Sequence, residues 1–274
     1  MRVQSLFRYP VKSMLGEALD SLLIDERGAE GDRRLALVDA VTGRVATAKH
    51  PRLWRGLLRF SASGGPGQVR IELPDGSSVP ANERGIDELL SELLGRPVRL
   101  AAERADGASV ERPAPEDVLE QGVEAEVEYA TLEIAQGTPG TSFVDYAPLH
   151  LITTATLDRI GAEAVRYRPN LVVTTPPGFP AYAENDWVGR ELWVGRPGPE
   201  ADRGVRLRGA IPTPRCAVPT LEHGPLPRAP HAVRTPMAEN RVDVPGFGVL
   251  PCAGVYLDVL TGGTIHTGDL VSLL

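Results

Sequence analysis

The chain has 274 residues, of which 42% are apolar and 24% are charged, and its formal net charge is −7. At roughly 150 residues per domain this length predicts about two domains, and the composition is typical of a folded chain. The acidic charge argues against a nucleic-acid-binding protein, and two cysteines, Cys216 and Cys252, are too few for a disulfide scaffold. Because neither a signal-peptide block nor a run of about 18 apolar residues occurs in the sequence, we expect no membrane segment and a cytoplasmic protein.

The first third of the chain predicts short strands and one helix. Residues 33–38 alternate in polarity with the period of a strand, and residues 39–43 predict a turn to a returning strand. The apolar side chains of residues 86–94 fall on one face of a helix, and Gly95 and Pro97 predict its end. The strands expected in this part are 33–38, 45–47, 57–60, 69–73 and 98–100.

The rest of the chain predicts further strands that are separated by proline-rich loops. Residues 104–128 are polar, acidic and broken by prolines, which predicts a connection between domains. Thr153 and Thr154 are candidate N-caps of a helix that runs through Ala164. The pattern as a whole predicts a mostly β protein with a few helices (α+β) and a small barrel or sandwich in each half. The expected strands are 171–174, 191–194, 205–207, 255–260 and 270–274, and the expected loops are 176–180, 197–199 and 212–219.

The sequence lacks the patterns of several common chemistries. It contains neither of the glycine-rich motifs that bind nucleotide phosphates, and it has no HExxH, CxxC or GxSxG motif. The five histidines are scattered, and no pair has the spacing of metal ligands. These absences exclude the ordinary nucleotide-binding, zinc and serine-hydrolase sites.

Cys216 is the first candidate functional residue, because Pro212, Pro214 and Pro219 surround it. A thiol on a stiff loop has a defined direction, and the neighbouring Arg215 favours the thiolate, which attacks substrates or binds soft metals. The alternative is a buried small apolar residue, a common environment for a free cysteine. Cys252 precedes an apolar strand and is better explained as part of the core, and a disulfide between the two is a third possibility.

Three basic turns form a second set of candidates. Lys12 and Ser13 follow the first strand, and side chains and N–H groups in such a turn can hold a phosphate. Arg33 opens the next strand, and a third turn at 166–170 ends at the start of a strand. Of the 29 basic residues only Lys12 and Lys49 are lysines, so Lys12 carries more weight than any single arginine. Each turn could equally be a plain solvated loop.

The order of these pieces resembles the MOSC family, the C-terminal domain type of molybdenum cofactor sulfurases, preceded by its N-terminal β-barrel partner. The arrangement is similar to the mitochondrial amidoxime-reducing component and to bacterial two-domain MOSC proteins. The resemblance implies an N-terminal MOSC β-barrel domain at 1–105 and a MOSC β-barrel domain at 106–274. The segments that carry it are Tyr-Pro-Val-Lys-Ser at 9–13, Gly-Asp-Arg at 31–33, Tyr-Arg-Pro-Asn at 167–170, Tyr-Ala-Glu-Asn-Asp-Trp at 182–187, Arg-Cys at 215–216, Gly-Thr-Ile at 263–265 and Gly-Asp at 268–269.

The same resemblance implies roles for single residues. Cys216 matches the cysteine that binds molybdenum and takes part in catalysis. Molybdopterin is anionic, so basic side chains offer it charge-assisted hydrogen bonds. Two departures stand out, since Pro214 removes a possible N–H donor and residues 145–148 replace a hydroxyl-rich cofactor loop. The residues that match cofactor contacts are Lys12, Ser13, Arg33, Arg168, Asn170, Arg215 and Tyr256.

The function that the resemblance implies is a molybdenum-dependent oxidoreductase that reduces N-hydroxylated small molecules such as amidoximes and hydroxylamines. Two cysteines cannot hold an iron–sulfur cluster, and pyridoxal phosphate is not expected either. Electrons would come from a separate donor protein, a ferredoxin-like protein or a flavoprotein reductase. A sulfur carrier with a persulfide on Cys216 and a non-catalytic binder of the cofactor remain alternatives. Glu222 and His223 are weak candidates for a proton donor, and a surface loop explains them equally well.

Overall fold

The structure is a computed structural model that describes residues 1–196 and 204–274. The proline-rich loop predicted at 197–199 lies outside the described residues. Short strands make up most of the regular structure, which confirms the predicted fold class. The strands are, in chain order, β1 (Arg2–Arg8), β2 (Glu17–Leu19), β3 (Ser21–Asp25), β4 (Gly28–Ala29), β5 (Ala36–Asp39), β6 (Ser61–Ser63), β7 (Arg70–Glu72), β8 (Ser78–Pro80), β9 (Val98–Ala101), β10 (Ser109–Pro113), β11 (Tyr129–Glu133), β12 (Leu149–Thr153), β13 (Leu171–Thr174), β14 (Glu191–Gly195), β15 (Val205–Pro214), β16 (Arg241–Val244), β17 (Gly248–Thr261), β18 (Gly263–His266) and β19 (Leu270–Leu273).

The helices are short and lie between the strands. In the described parts of the chain, none has both the length and the apolar character needed to cross a membrane. The α-helices are α1 (Pro51–Trp54), α2 (Ile86–Leu94), α3 (Pro115–Gln121), α4 (Thr154–Ile160) and α5 (His231–Glu239), and 3₁₀ helices form at Arg55–Arg59, Ala164–Arg166, Ala183–Trp187 and Val218–Thr220.

A closed barrel is the largest element of the fold. Within the described residues its seven strands follow the order β12, β13, β1, β19, β14, β15 and β17, and β17 pairs back with β12. The register places Leu171 opposite both Leu6 and Leu151. Burial of such side chains drives the closure, and the closed sheet leaves its strands no free edge. The fully buried leucines of this core are Leu6, Leu151, Leu171, Leu192, Leu207 and Leu257.

The N-terminal strand is part of this barrel although most of its partners lie far along the chain. β1 pairs antiparallel with β13, and β13 runs parallel to β12. The end of β1 therefore lies beside the beginnings of β12 and β13. This topology brings the turn after β1 to the same end of the barrel as the turn before β13.

A second core stabilises the region between β5 and β9. Helix α2 packs Ile86 and Leu90 against the three-stranded sheet β6–β7–β8. Gly95 ends this helix in the left-handed region at φ 66°, a conformation that glycine adopts at little cost. The predicted helix over residues 86–94 is therefore confirmed with both of its ends.

Two of the strands expected in the N-terminal third are wrong. Residues 57–60 are mostly part of the 3₁₀ helix Arg55–Arg59, in which Leu57 and Leu58 are buried. A short apolar run has no periodicity that separates a buried helix from a buried strand. Residues 45–47 make only a single bridge, between Val45 and Val38.

The later elements also differ from the prediction in their ends. The connection at 104–128 contains β10 and α3, and β10 pairs with β11. Helix α4 begins at Thr154 as expected, with the Thr153 side chain accepting from the N–H of Thr156, but it ends at Ile160 before Gly161. Strand β15 extends into the predicted proline-rich loop and ends at Pro214.

Candidate functional site

One end of the barrel carries the candidate site. The end of β1 lies beside the beginning of β13, β13 runs beside β12, and β17 joins β12 to the second half of β15. His150 on β12 lies opposite Tyr256 on β17, and Tyr256 in turn lies opposite Ile211 on β15. The loops that leave these strands hold the basic turns and Cys216. Distant parts of the sequence are thus brought together by strand pairing.

A cleft of about 1170 Å³ of empty space, continuous with open solvent, opens at this end. Among the described residues seven basic and two acidic side chains line it, although the whole chain carries a net charge of −7. Such a concentration of positive charge in a concave site favours an anionic ligand. The charged lining residues are Lys12, Arg33, Lys49, Arg112, Arg166, Arg168, Arg215, Glu133 and Asp145.

The structure brings every residue that the resemblance proposed as a metal or cofactor contact into this one cleft. The lining residues do not include Cys252, Glu222 or His223. The contacts of each lining residue show how it is held, while its part in binding a cofactor stays a prediction. The residues brought together are Lys12, Ser13, Arg33, Arg168, Asn170, Arg215, Cys216 and Tyr256.

The aromatic ring of Tyr9 contacts the guanidinium groups of two of the arginines. The guanidinium carbons of Arg33 and Arg168 lie 4.9 and 4.3 Å from the centre of its ring. Arg33 pairs with Asp32 and donates from Nη2 to the carbonyl oxygen of Arg168 over 2.9 Å. Both arginines have positive φ, 47° and 56°, which for residues with a Cβ is a strained backbone.

Arg168 keeps one donor free. Its Nη1 donates to the carbonyl oxygen of Met14, whereas its Nη2 is buried and has no hydrogen-bond partner among the described residues. Burial and the nearby Arg33 lower the pKa of Arg168 to about 10, so its guanidinium is still charged at neutral pH. A buried charged donor without an acceptor is costly, and an anionic ligand in the cleft would supply the acceptor.

Arg215 is held rigidly beside Cys216. It donates to the carbonyl oxygens of Thr213 and Tyr167 over 3.2 and 3.3 Å, and its Nη2 lies 2.7 Å from Nε2 of His150. Since arginine can only donate, Nε2 of His150 is the acceptor. Burial and the charge of Arg215 hold the pKa of His150 well below its usual range, so this histidine is neutral. Burial also lowers the pKa of Arg215.

The two cysteines have different environments. Cys216 is half-buried in the cleft, two residues beyond the end of β15, and packs against a small apolar cluster that includes Val218 and Leu221. Cys252 is fully buried on β17, where burial raises the pKa of its thiol to about 11. Both thiols are free, so the disulfide considered from the sequence is wrong. Of the two thiols, the half-buried one of Cys216 is the one that can reach a ligand in the cleft.

Three of the proposed contacts are already engaged with the protein itself. The side chain of Asn170 accepts from the N–H of His150 and donates to the carbonyl oxygen of Phe7, so it ties β12 to β1. Ser13 Oγ accepts from the N–H of Ala48 over 3.1 Å. The ring of Tyr256 packs in an aromatic wall of the cleft with Tyr146 and His150.

Sequence reasoning missed Lys49 and Asp145. Nζ of Lys12 donates to Oδ1 of Asp145 over 2.5 Å and to the carbonyl oxygen of Phe143 over 2.8 Å, and Nζ of Lys49 lies 2.9 Å from the same Oδ1. Burial would raise the pKa of Asp145, but the two ammonium groups hold it well below its usual value. Burial lowers the pKa of Lys12 to about 8, although the negative charge of Asp145 raises it. The rarity of lysine in this chain was the signal that could have found Lys49.

His223 is buried outside the cleft. Its Nδ1 donates to the carbonyl oxygen of Leu221, its Nε2 has no partner in the described parts of the chain, and burial lowers its pKa from 6.5 to about 4. The unfolded chain therefore binds more protons than the folded chain between these values. We expect the free energy of unfolding to fall as the pH drops from 6.5 to 4, by up to about 1.4 kcal/mol per pH unit from this group.

Urea unfolding at several pH values measures this effect. In His223→Asn the amide can replace the Nδ1 donor but cannot take up a proton, so the dependence on pH should be shallower than in the wild type. His231→Asn, on the exposed side of α5, is the matched control and should keep the wild-type slope. Equal slopes for His223→Asn and the wild type would contradict the assignment.

Comparisons with known proteins agree with the two-part organisation. The MOSC N-terminal beta barrel domain matches residues 1–96, and the MOSC domain matches residues 139–272. The boundary predicted between residues 105 and 106 lies in the interval between these matches and stays a prediction. No curated protein matches the chain.

Two solved structures are similar at low identity. The YuaD protein from Bacillus subtilis shares 11% identity over 99% of this chain and 94% of that one, with a TM-score of 0.44. YiiM from Geobacillus stearothermophilus shares 13% identity over 62% of this chain and 74% of that one, with a TM-score of 0.31. A likeness at this level says nothing about ligand or activity. MOSC domains are associated with molybdenum cofactor sulfurase-like and reductase-like proteins. On the strength of its two domain matches, which confirm the resemblance seen in the sequence, this chain is a two-domain member of the MOSC family.

Proposed function

We propose that the protein binds a molybdenum cofactor in the basic cleft and reduces N-hydroxylated small molecules with electrons from a separate donor protein. The observation that carries the proposal is the position of Cys216. Its half-buried thiol shares the cleft with cationic side chains from both ends of the chain. The substrate class comes from the likeness to amidoxime-reducing MOSC proteins, and the donor would be a ferredoxin-like protein or a flavoprotein reductase.

The residues of the cleft fit such a cofactor. Its phosphate and pterin need hydrogen-bond donors, and the buried Nη2 of Arg168 is a charged donor without an acceptor among the described residues. Its metal needs a soft protein ligand, which a cysteine thiolate provides. Cys216 would be the metal ligand, and Arg33, Arg168 and Arg215 would hold the anionic organic part. When bound, the cofactor supplies two-electron reduction.

The chain's own contribution is to bind and orient. Arg215 is fixed through His150 and two carbonyl oxygens, so the backbone that leads into Cys216 has little freedom. The aromatic rings of Tyr146, Phe247 and Tyr256 contact one another and form an apolar side of the cleft. Conversion of an N-hydroxyl group to N–H consumes two electrons and two protons and releases water. A cleft open to solvent on its other side can exchange the protons and the water.

A turnover assay tests this function. Protein from a host that makes the cofactor should hold close to one molybdenum per chain and should reduce an aryl amidoxime to the amidine with a reduced viologen as donor. The control is the same chain from a host that cannot make the cofactor, which should be inactive.

Three results would contradict the proposal. Molybdenum without turnover would indicate a storage protein. Sulfane sulfur on Cys216 without stoichiometric molybdenum would indicate a sulfur carrier. Equal activity with and without the cofactor would place the chemistry elsewhere.

A further inference from the structure

Both lysines of the chain contact the same carboxylate. The chain has 29 basic residues, and 27 of them are arginines. Lys12 and Lys49, 37 positions apart, each place Nζ within 2.9 Å of Oδ1 of Asp145. In a chain that otherwise uses arginine throughout, this coincidence indicates that the position requires ammonium groups.

The chemistry of the two cations explains such a requirement. An ammonium group is a compact point charge on a flexible stem, whereas guanidinium is a planar fork that pairs with two oxygens at once. Two ammonium groups can meet on one oxygen and can turn together to another oxygen without a change in backbone. A pair of lysines therefore suits a place where one anion is exchanged for another.

Asp145 is presented to the cleft from a fixed loop. Two backbone hydrogen bonds hold this loop. The backbone carbonyl oxygen of Asp145 accepts from the N–H of Ala135, and the N–H of Phe143 donates to the backbone carbonyl oxygen of Arg33 over 2.7 Å. The Lys12 side chain is 4% exposed, whereas the Asp145 side chain is 33% exposed and lines the cleft. The carboxylate is thus the accessible member of the group, and the buried ammonium lies behind it.

We propose that Asp145 is an internal counter-anion, which occupies the place of a phosphate on Lys12 and Lys49 and which a phosphate-bearing ligand displaces. This inference rests on the proposed function for the identity of the ligand, the phosphate ester of the cofactor. Displacement frees both ammonium groups, and water can solvate the displaced carboxylate, because one third of the Asp145 side chain is already exposed in the paired state. The exchange makes Asp145 and Lys49 determinants of how tightly the cleft holds its ligand.

Titration calorimetry with inorganic phosphate tests the exchange. The full-length chain is purified from a host that lacks molybdopterin synthesis, so the result does not depend on molybdenum or on turnover. Asp145→Asn is expected to bind phosphate at least about tenfold more tightly than the wild type, because no carboxylate has to be displaced. Lys49→Gln added to Asp145→Asn should remove this gain. Asp158→Asn, exposed on α4, is the matched control and should bind phosphate as the wild type does.

Equal or weaker phosphate binding by Asp145→Asn would overturn the proposal. If that variant does not fold, the single variant Lys49→Gln tests the proposal. Lys49→Gln is then expected to bind phosphate more weakly than the wild type, and unchanged phosphate binding would refute the proposal. A loading experiment in a cofactor-competent host identifies the source of the phosphate. Higher molybdenum retention by Asp145→Asn supports the cofactor's phosphate, whereas tighter phosphate binding with unchanged retention supports the exchange with free phosphate as the occupant.

Discussion

Cys216→Ala, purified from a cofactor-competent host, is expected to hold at least about tenfold less molybdenum than the wild type and to lose amidoxime reduction. Changes to groups that merely support a metal ligand cost about 10–100-fold in affinity, so loss of the ligand itself should cost no less. The substitution should leave the fold intact, because Cys216 is half-buried and packs at the edge of a small cluster. Molybdenum and pterin are measured per chain, beside a thermal melt.

Cys252→Ala is the matched control for this experiment. Its thiol is fully buried in an apolar cluster with Ile211 and Val244, so its removal should reduce the free energy of unfolding by about 1–3 kcal/mol. Its molybdenum content should equal that of the wild type. Equal molybdenum in Cys216→Ala and the wild type would remove Cys216 from the ligand role.

Arg215→Leu is expected to lower both stability and cofactor loading. The guanidinium satisfies Nε2 of His150 and the carbonyl oxygens of Thr213 and Tyr167. Leaving these buried acceptors without a donor should lower the free energy of unfolding by about 1–3 kcal/mol. Because the segment that leads into Cys216 loses its anchor, molybdenum loading should fall at least about tenfold. Urea unfolding and metal analysis measure the two effects.

Arg215→Lys separates the effect of the positive charge from the effect of the planar guanidinium group with its several N–H donors. Lysine keeps the positive charge but cannot reach three acceptors with one planar group, so it should recover only part of the loading. Full recovery by lysine would mean that charge alone matters, and wild-type loading of Arg215→Leu would show that this arginine plays no part.

Local patterns in the sequence predicted the elements that local chemistry determines. Helix α2 follows from apolar spacing and a terminal Gly95, and the ends of β13 follow from an apolar run between polar turns. Strand β15 was misjudged because proline opposes strand pairing. Pro212 and Pro214 are accommodated at irregularities in its register with β17, where a missing N–H donor costs little.

Features that depend on contacts between distant residues could not be predicted from local sequence patterns. Helix α5 was not predicted, because Pro236 lies inside it and its apolar face is weak. The convergence of the basic turns followed from a family resemblance, and strand pairing gives its physical cause. The contacts of Lys12 and Lys49 with Asp145 could not be derived, because the three residues lie in loops that are far apart in the sequence and that only the folded chain brings together.

Anomalous scattering at the molybdenum edge, from crystals of the cofactor-loaded protein, tests the central claim most directly. We expect one strong peak within bonding distance of Sγ of Cys216, in the cleft lined by Arg33, Arg168 and Arg215. A molybdenum peak that is bonded elsewhere, or a loaded protein whose Cys216 thiol lies apart from the metal, would contradict it.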